Sequence, residues 1–471
     1  MEGEFTFAEA PCTVCDDVSS LGSRPECVLC RPGSVRCREG VPQTCDDGGN
    51  VWEPGPRCES ACVPDVGCTS CVPGSRRCEG ERSMVCTADG ARWVEGRDCA
   101  QWGSACGMDG FCEDACATPE REHDRVGCEY YAATLPHSDF RDGGLELFDF
   151  RVALGSAVDE TATVRITQGD ELIAETTVEP GGLQLVSLPR VPWVGQSESI
   201  ADAAYRIVSD QPISVTQFDP FEYWTFEVQD PLVQRPRFGS YTNDASLLLP
   251  RHVLTETYRA VSFRGHAYVA VVGVGPEPTT IHVQPHPHAE VRTFERSAIR
   301  GGEWWEFTLR QGEIAVIAGT TGLDNVGADG QPLSVIDADS GGVTGVAIQA
   351  DHPVAAFGGN MCAHVTSYGA CEHLETQLLP TEMWGRSYVG APLVDPGVLG
   401  RARNVVRIVA NEADTAVTLY DGDWTYRRVL GPGDGWDAWT TGPYTVNSSR
   451  PVSVAQFMEG QLIGQDRATH R

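Results

Sequence analysis

The 471-residue sequence predicts an all-β protein, tandem β-sandwich-like units preceded by a small disulfide-rich repeat region. Three observations carry that prediction. Of the 19 cysteines, 17 fall between Cys12 and Cys128. A block of five cysteines recurs there at a fixed interval, the mark of a repeat architecture. Past residue 128, short alternating apolar runs punctuated by Gly, Pro and Asp replace any helical periodicity. The expected organisation is a disulfide-rich region over 12–128, with 41-residue repeats at 27–58 and 68–99, followed by β units at 129–235, 236–365 and 366–471.

In the first region Cys27, Cys30, Cys37, Cys45 and Cys58 recur as Cys68, Cys71, Cys78, Cys86 and Cys99, each displaced by 41 residues. Pro32-Gly33-Ser34, Gly49 and Trp52 are matched by Pro73-Gly74-Ser75, Gly90 and Trp93. So few apolar residues cannot build a core, so each repeat is expected to be stapled by disulfides, with Trp52 and Trp93 as its buried centres. The Cys-x-x-Cys pairs at Cys12 and Cys27 also suit a zinc ribbon. No histidine accompanies them before Cys116, and disulfides are the reading adopted. An odd cysteine is left over, for a partner beyond the start of the sequence or on another chain.

In the remaining residues, alternation over Thr163-Val-Arg-Ile-Thr, Thr280-Ile-His-Val and Ala416-Val-Thr-Leu-Tyr marks strands, and Gly169-Asp170 and Asp421-Gly422 mark hairpin turns. One segment occurs three times, around Pro212, Pro353 and Pro451, each placed where a second strand should begin, since a missing N–H costs no ladder bond there. A glycine turn opening an apolar strand precedes each copy, at Gly181-Gly182, Gly301-Gly302 and Gly433-Asp-Gly435. Leu248-Leu249-Pro250 leads to Tyr258 as Leu378-Leu379-Pro380 leads to Tyr388. A β-propeller is the alternative, but its blades repeat at roughly 40 to 50 residues and these copies are spaced more widely. Phe457 has no Leu-Leu-Pro after it, so the chain is expected to continue and the Val452, Val454, Phe457 strand to be an exposed edge.

Ala355-Ala-Phe-Gly-Gly-Asn-Met-Cys362-Ala-His364, then Cys371-Glu-His373-Leu-Glu-Thr-Gln-Leu-Leu-Pro380, Trp384-Gly385 and Tyr388-Val389, resemble the N-terminal domain of the IgG Fc-binding protein family. The resemblance covers most of 129–471 and resides chiefly in the Cys-x-His to Cys-x-His-Leu stretch. It implies a secreted or surface-displayed binding domain, as in bacterial members with Cys-rich repeats ahead of it, without implying immunoglobulin as the ligand. Cys362 and Cys371, alone in the β region, are expected to bridge, which would bring His364 and His373 face to face as candidate ligand contacts. Trp304 and Trp436 are further candidates, as parts of a sugar-stacking face. Of Trp436 and Trp439, at i and i+3 on a strand, only one can face inward.

Other chemistry is weaker. Ala338-Asp339-Ser340-Gly341-Gly342 lacks an identifiable base and reads as a turn rather than a protease nucleophile. Prolines break up His282, His286 and His288, so no metal is assigned to them. Asp324-Asn325, Asp329-Gly330, Asp337 and Asp339 are the only candidates for calcium, without the spacing of a known loop, and no cofactor is assigned. A net charge of -31 excludes a nucleic-acid partner, and the absence of lysine excludes P-loop and Schiff-base chemistry. No apolar run is long enough to span a membrane. No signal peptide opens the sequence, yet cysteine usage places the protein outside the cell or on its surface. The function expected is a non-enzymatic extracellular binding or adhesion protein with a protein or glycan partner and the repeats as a spacer. The alternative is a carbohydrate-binding or carbohydrate-active protein.

Overall fold

The computed structural model describes residues 14–15, 27–87, 89–102, 104–137, 149–191, 199–227, 235–242, 244–287, 289–295, 298–320, 342–363, 365, 372–391, 404–440 and 442–458. Two compact units divide the chain, Met1–Glu113 and Asp114–Arg471.

Disulfides organise the first unit. Cys30–Cys45, Cys37–Cys62 and Cys58–Cys68 staple one module, and Cys71–Cys86, Cys78–Cys106 and Cys99–Cys112 staple the next. Both join first to third, second to fifth and fourth to sixth cysteine. The covalent modules are thus out of phase with the sequence repeat, since Cys68 closes one module and Cys71 opens the next. Three short strands form the sheet of each module, and the Gly49 carbonyl accepts from Leu29 and Cys30 as that of Gly90 does from Ser70 and Cys71. The expectation that Trp52 and Trp93 are buried centres is corrected. Both are only half-buried, and each lies under an arginine, Arg36 at 4.3 Å and Arg77 at 4.5 Å from the ring centroid. The bridges themselves fill the interior, with Cys30, Cys45, Cys71, Cys86, Cys99 and Cys112 buried. In a module this small a sulfur pair replaces the aromatic core.

The second unit is all-β apart from one short helix, α1 (Ala117–Glu122), and single turns of 3-10 helix among the described residues. The Cys116–Cys128 bridge ties that helix to the first strand. The principal strands fall into three sets. The first contains β1 (Gly127–Ala133), β2 (Phe150–Ser156), β3 (Ala162–Gln168), β4 (Glu171–Val178), β5 (Leu183–Leu188) and β6 (Ala204–Phe218), closed by β7 (Ala245–Leu247). The second contains β8 (Thr257–Arg259), β9 (Ala267–Gly273), β10 (Thr279–Gln284), β11 (Trp305–Leu309), β12 (Ile314–Gly319), β13 (Ala347–Ala350) and β14 (Val354–Ala363), closed by β15 (Glu372–Gln377). The third contains β16 (Gly385–Gly390), β17 (Asn404–Ala410), β18 (Thr415–Asp421), β19 (Trp424–Leu430), β20 (Gly435–Thr440) and β21 (Tyr444–Met458).

One strand order serves all three sets. The first runs β4-β3-β6-β2-β5 with β1 beside β6, and the third runs β19-β18-β21-β17-β20 with β16 beside β21. In the second set the long central strand is split, giving β8-β13-β10-β11 and β12-β9-β14-β15. The prolines explain the difference. Pro212 and Pro451 were expected to begin strands, but each lies inside a continuous 15-residue strand. They sit where β6 changes neighbours, from β3 at Ser209 to β2 at Ile213, and where β21 passes from β18 at Ser448 to β17 at Val452. No ladder bond is lost at a changeover. Pro353 lies just ahead of β14.

A tyrosine completes each changeover. The Tyr258 hydroxyl donates to the Val354 carbonyl at 2.7 Å and that of Tyr388 to Val452 at 2.6 Å, while Tyr130 donates to Ile213. Each acceptor follows one of the three prolines. The Tyr258 and Tyr388 oxygens also accept from the backbone N–H three residues earlier, Thr255 at 3.2 Å and Gly385 at 2.7 Å. Burial raises the pKa of all three phenols above the ordinary value, so they act as neutral donors. Tyr258→Phe leaves the Val354 carbonyl without this donor, and chemical denaturation should show a loss of about 1 to 3 kcal/mol. An unchanged midpoint would assign Tyr258 to packing alone.

The main core joins the inner faces of the first and second sets, with Tyr130, Phe150, Tyr205, Tyr268 and Phe357 buried in it. The third sheet curls over its own core of Val406, Ile408, Leu419 and Val446. Its other face docks on the second set through Arg407 and Asp437 and by a close backbone approach. There a Cβ on Gly345 would meet the Gly433 carbonyl oxygen at 2.2 Å, and both residues have positive φ, so glycine is required at each.

Candidate functional site

The residues singled out from the sequence are scattered. Trp304, 47% exposed, stands edge-on to His282 with ring centroids 6.4 Å apart. Trp436, on another sheet, packs half-buried against the third core beneath Arg428, and its strand neighbour Trp439 is 44% exposed. One tryptophan therefore faces in and the other out. His282 lies 3.5 Å from Glu306 and His286 3.0 Å from Asp434, so the two imidazoles serve different carboxylates. His364, Cys371, His288, the turn around Ser340 and the proposed calcium residues lie outside the described residues. Cys362 is disulfide-bonded. His373 stacks on His137, a residue that no sequence motif had marked, at 3.9 Å between centroids.

A cavity lined by described residues lies at the junction of the second and third sets, a cleft of about 860 Å³. Two strands flank it. Glu372 to Leu379, on and just after β15, line one side, and Ser453 to Met458 of β21 line the other. Val261, Leu378 and Trp384 supply apolar wall, and Leu379 and Met458 are exposed at its margins. Gly358 and Gly359 fit the wall because a Cβ on either would meet a carbonyl oxygen at 2.2 Å, that of Val261 or Leu374. Arg259, on the wall, is held by Asn411 Oδ1 and the Gly345 carbonyl, both at 2.9 Å, and burial lowers its pKa. A ring pair, Phe263 and Phe457 at 5.0 Å, joins the two sets beside it.

Alternate residues of β15 point away from the cleft into a buried charged cluster. The Asp219 carboxylate meets the Arg190 guanidinium through Oδ1, and its Oδ2 accepts from the Leu135 amide at 2.9 Å and lies 3.4 Å from His137 Nε2. His373 Nε2 is 3.4 Å from Glu375 Oε2, and Gln217 Nε2 donates to Glu375 Oε1 at 3.2 Å. Burial opposes the Asp219 charge, but His137 and Arg190 outweigh it and hold the carboxyl well below the usual range. Burial, reinforced by repulsion from Asp219, pushes Glu375 well above that range. Burial pushes His373 well below the ordinary imidazole value. Atoms of His137, Asp219 and His373 come within 4.8 Å of one another, as metal ligands would. The rings nonetheless lie nearly parallel, 22° apart, so their lone pairs run side by side instead of converging on one ion, and Arg190 already neutralises Asp219. The cluster reads as a structural charge network. Glu375→Gln keeps a hydrogen-bonding group at both contacts without a buried charge. Because the folded pKa is raised, the wild-type carboxyl destabilises the fold as pH rises above the unfolded value of about 4.3. The variant should therefore melt higher than the wild type at pH 8 and match it at pH 4. Equal melting temperatures at both would contradict a buried acid.

The match to known families falls on the half of the chain that holds the cleft. Residues 244–470 fit the family model described as IgGFc binding protein. The match spans 227 of the 471 residues, the C-terminal part of the chain. No curated protein matches the chain. The IgGFc-binding match, together with seven disulfides among the described residues, points to an extracellular binding protein. No described helix is long and apolar enough to cross a membrane. The match begins at the edge of β7 and takes in both flanking strands of the cleft, while the His137, Arg190 and Asp219 side of the charged cluster lies ahead of it.

Proposed function

We propose that this is a non-enzymatic extracellular binding or adhesion protein that takes a protein partner in the cleft between the second and third strand sets. The observation that carries the reading is the cleft itself, open, largely apolar and contained in the family-matched residues. Its titratable neighbours His373 and Glu375 are buried in hydrogen bonds, an arrangement suited to supporting a strand rather than exchanging protons with a substrate. The disulfide repeats serve as a spacer. The test compares capture of extracellular proteins by the full chain and by Leu379→Asp and Met458→Asp variants, whose side chains are exposed at the cleft margin. Loss of the captured protein in both supports the reading. Undiminished capture, or turnover of any bound glycan, overturns it.

The same reading includes a Cys362–Cys371 bridge beside the cleft. Non-reducing peptide mapping should return the two peptides joined, and alkylation of Cys371 in the native protein would contradict it. A carbohydrate-binding reading is favoured by one observation, the exposed Trp424 and Tyr426, two residues apart on one face of β19. Glycan-array binding that is lost in Trp424→Ala and kept in Leu379→Asp would select it.

A further inference from the structure

The three strand sets share one order, but among the described strands only the first two carry a closing strand. In the first, the end of β6 is paired by β7, with Thr216 opposite Leu247, Gln217 opposite Ser246 and Phe218 opposite Ala245. In the second, the end of β14 is paired by β15, with Phe357 opposite Gln377, Gly358 opposite Thr376 and Gly359 opposite Glu375. Counting from the central prolines, Thr216 and Phe357 are equivalent, both four residues on. Both closing strands are antiparallel, and both run directly into Leu-Leu-Pro. One backbone bond is repeated to the atom: the Leu248 amide donates to the Val215 carbonyl at 2.8 Å, and the Leu378 amide to the Ala356 carbonyl at 2.8 Å.

In the third set the equivalent positions are Val454 for the acceptor and Ala455, Gln456 and Phe457 for the paired residues. Beyond Val452, β21 pairs with β17 alone among the described strands. Ser453 through Met458 all line the cleft. Successive side chains of a strand point to opposite faces, so an unbroken run of lining residues means that the backbone edge, rather than one face, borders the cavity. The cleft thus lies where the first two sets carry their closing strand.

We propose that the cleft binds an extended segment of a partner polypeptide as the closing strand of the third set, antiparallel to Ser453–Met458, with a leucine amide of the partner donating to the Val454 carbonyl. This deepens the reading of the cleft as a protein-binding site and rests on it. The partner's chemistry follows from the two cognate fillers, Ala245-Ser-Leu-Leu-Leu-Pro250 and Glu375-Thr-Gln-Leu-Leu-Pro380: a small polar residue followed two and three positions later by leucines and then proline. In the first set Leu248 and Leu249 are buried in the core, and in the second Leu378 is. Main-chain bonds along the edge supply affinity, and the pocket taking the leucine supplies selectivity.

The probe is a synthetic peptide with the sequence of residues 244–251, Asp-Ala-Ser-Leu-Leu-Leu-Pro-Arg, added to the full chain. Saturable binding is expected, with hydrogen exchange at the amides of 453–458 slowed roughly tenfold or more. The same peptide N-methylated at its second leucine, the counterpart of Leu248, should lose binding at least tenfold. Three results would overturn the proposal: binding indifferent to N-methylation, protection that maps away from 453–458, or amides there as protected before the peptide is added as those of 213–218, which means that the chain fills the slot itself. If Leu379→Asp abolishes partner capture while the peptide gives no protection, strand addition falls and the protein-binding cleft stands.

Discussion

Arg407→Ala is expected to destabilise the second unit by about 3 to 5 kcal/mol, because it strands a buried carboxylate and unties two strand sets at once. The Arg407 side chain is fully buried. Its guanidinium forks onto Asp437, Nε to Oδ1 at 2.7 Å and Nη2 to Oδ2 at 2.8 Å. Its remaining nitrogen reaches across to the second set, to the Ser262 carbonyl at 2.7 Å and Thr344 Oγ1 at 2.8 Å. Arg264 adds a second cation on Asp437 Oδ2 at 2.8 Å. Burial alone would raise the Asp437 pKa, but the two guanidinium groups prevail and lower it. The pair therefore stabilises the fold above the unfolded carboxyl value of about 3.9, and that contribution is lost as pH falls through the folded value. Arg407→Lys cannot reproduce the planar fork and should recover only part of the loss. The double variant Arg407→Met, Asp437→Leu, which removes both charges, should lie much nearer the wild type in urea denaturation. If Arg407→Ala alone unfolds at the wild-type midpoint, the docking of the third set does not depend on this pair.

Arg190→Ala is expected to cost a comparable amount, about 3 to 5 kcal/mol, for a related reason. Asp219 is fully buried, and without Arg190 its charge is left to the Leu135 amide and His137. The variant should also change the response to acid. In the wild type, His373 is buried neutral, so the unfolded chain takes up a proton at this position below about pH 6.5 that the folded chain refuses, and stability falls as pH drops through that range. Asp219 contributes a second loss, at pH below about 3.9, as its depressed folded pKa requires. Removing Arg190 takes away a cation that helps depress both groups. Asp219 then protonates at higher pH, nearer its unfolded value, so the loss of stability it contributes below about pH 3.9 should shrink. Thermal melts between pH 3 and pH 8 give the profile. A loss below about pH 3.9 as large in Arg190→Ala as in the wild type would contradict the assignment of Arg190 as the counter-ion of Asp219.

The all-β class was legible because alternation and turn chemistry are local properties, as in Thr163–Thr167 or around Gly422. The threefold recurrence was legible through its prolines and through the Leu-Leu-Pro to Tyr interval. The tyrosine proves to be the partner of the carbonyl after the proline, so two sequence elements that seemed independent are one device. What escaped was everything that depends on distant residues meeting. His137, Arg190 and Asp219 lie on three separate connections, and nothing in their sequence neighbours announces a cluster. His373 follows a cysteine as His364 does, but nothing around it announces that its ring stacks on His137 of the first set. Trp52 and Trp93 were placed at the centre of their modules by size, whereas Arg36 and Arg77, each directly before a repeat cysteine and 41 residues apart, cover them from outside. The missing Leu-Leu-Pro after Phe457 was read as an exposed edge. Val452 is in fact buried and Phe457 packs on Phe263, so among the described strands it is the backbone edge, rather than the side chains, that is left unpaired.

The most direct test of the protein-binding cleft is site-specific photo-crosslinking in the full chain. A photoreactive amino acid is placed at Met458 or at Leu379, on the cleft margins, and as a control at Leu183, which is 70% exposed on the first set. The account predicts that one and the same extracellular protein is trapped from Met458 and Leu379 and not from Leu183. Trapping from Leu183 with none from the two cleft positions would contradict it.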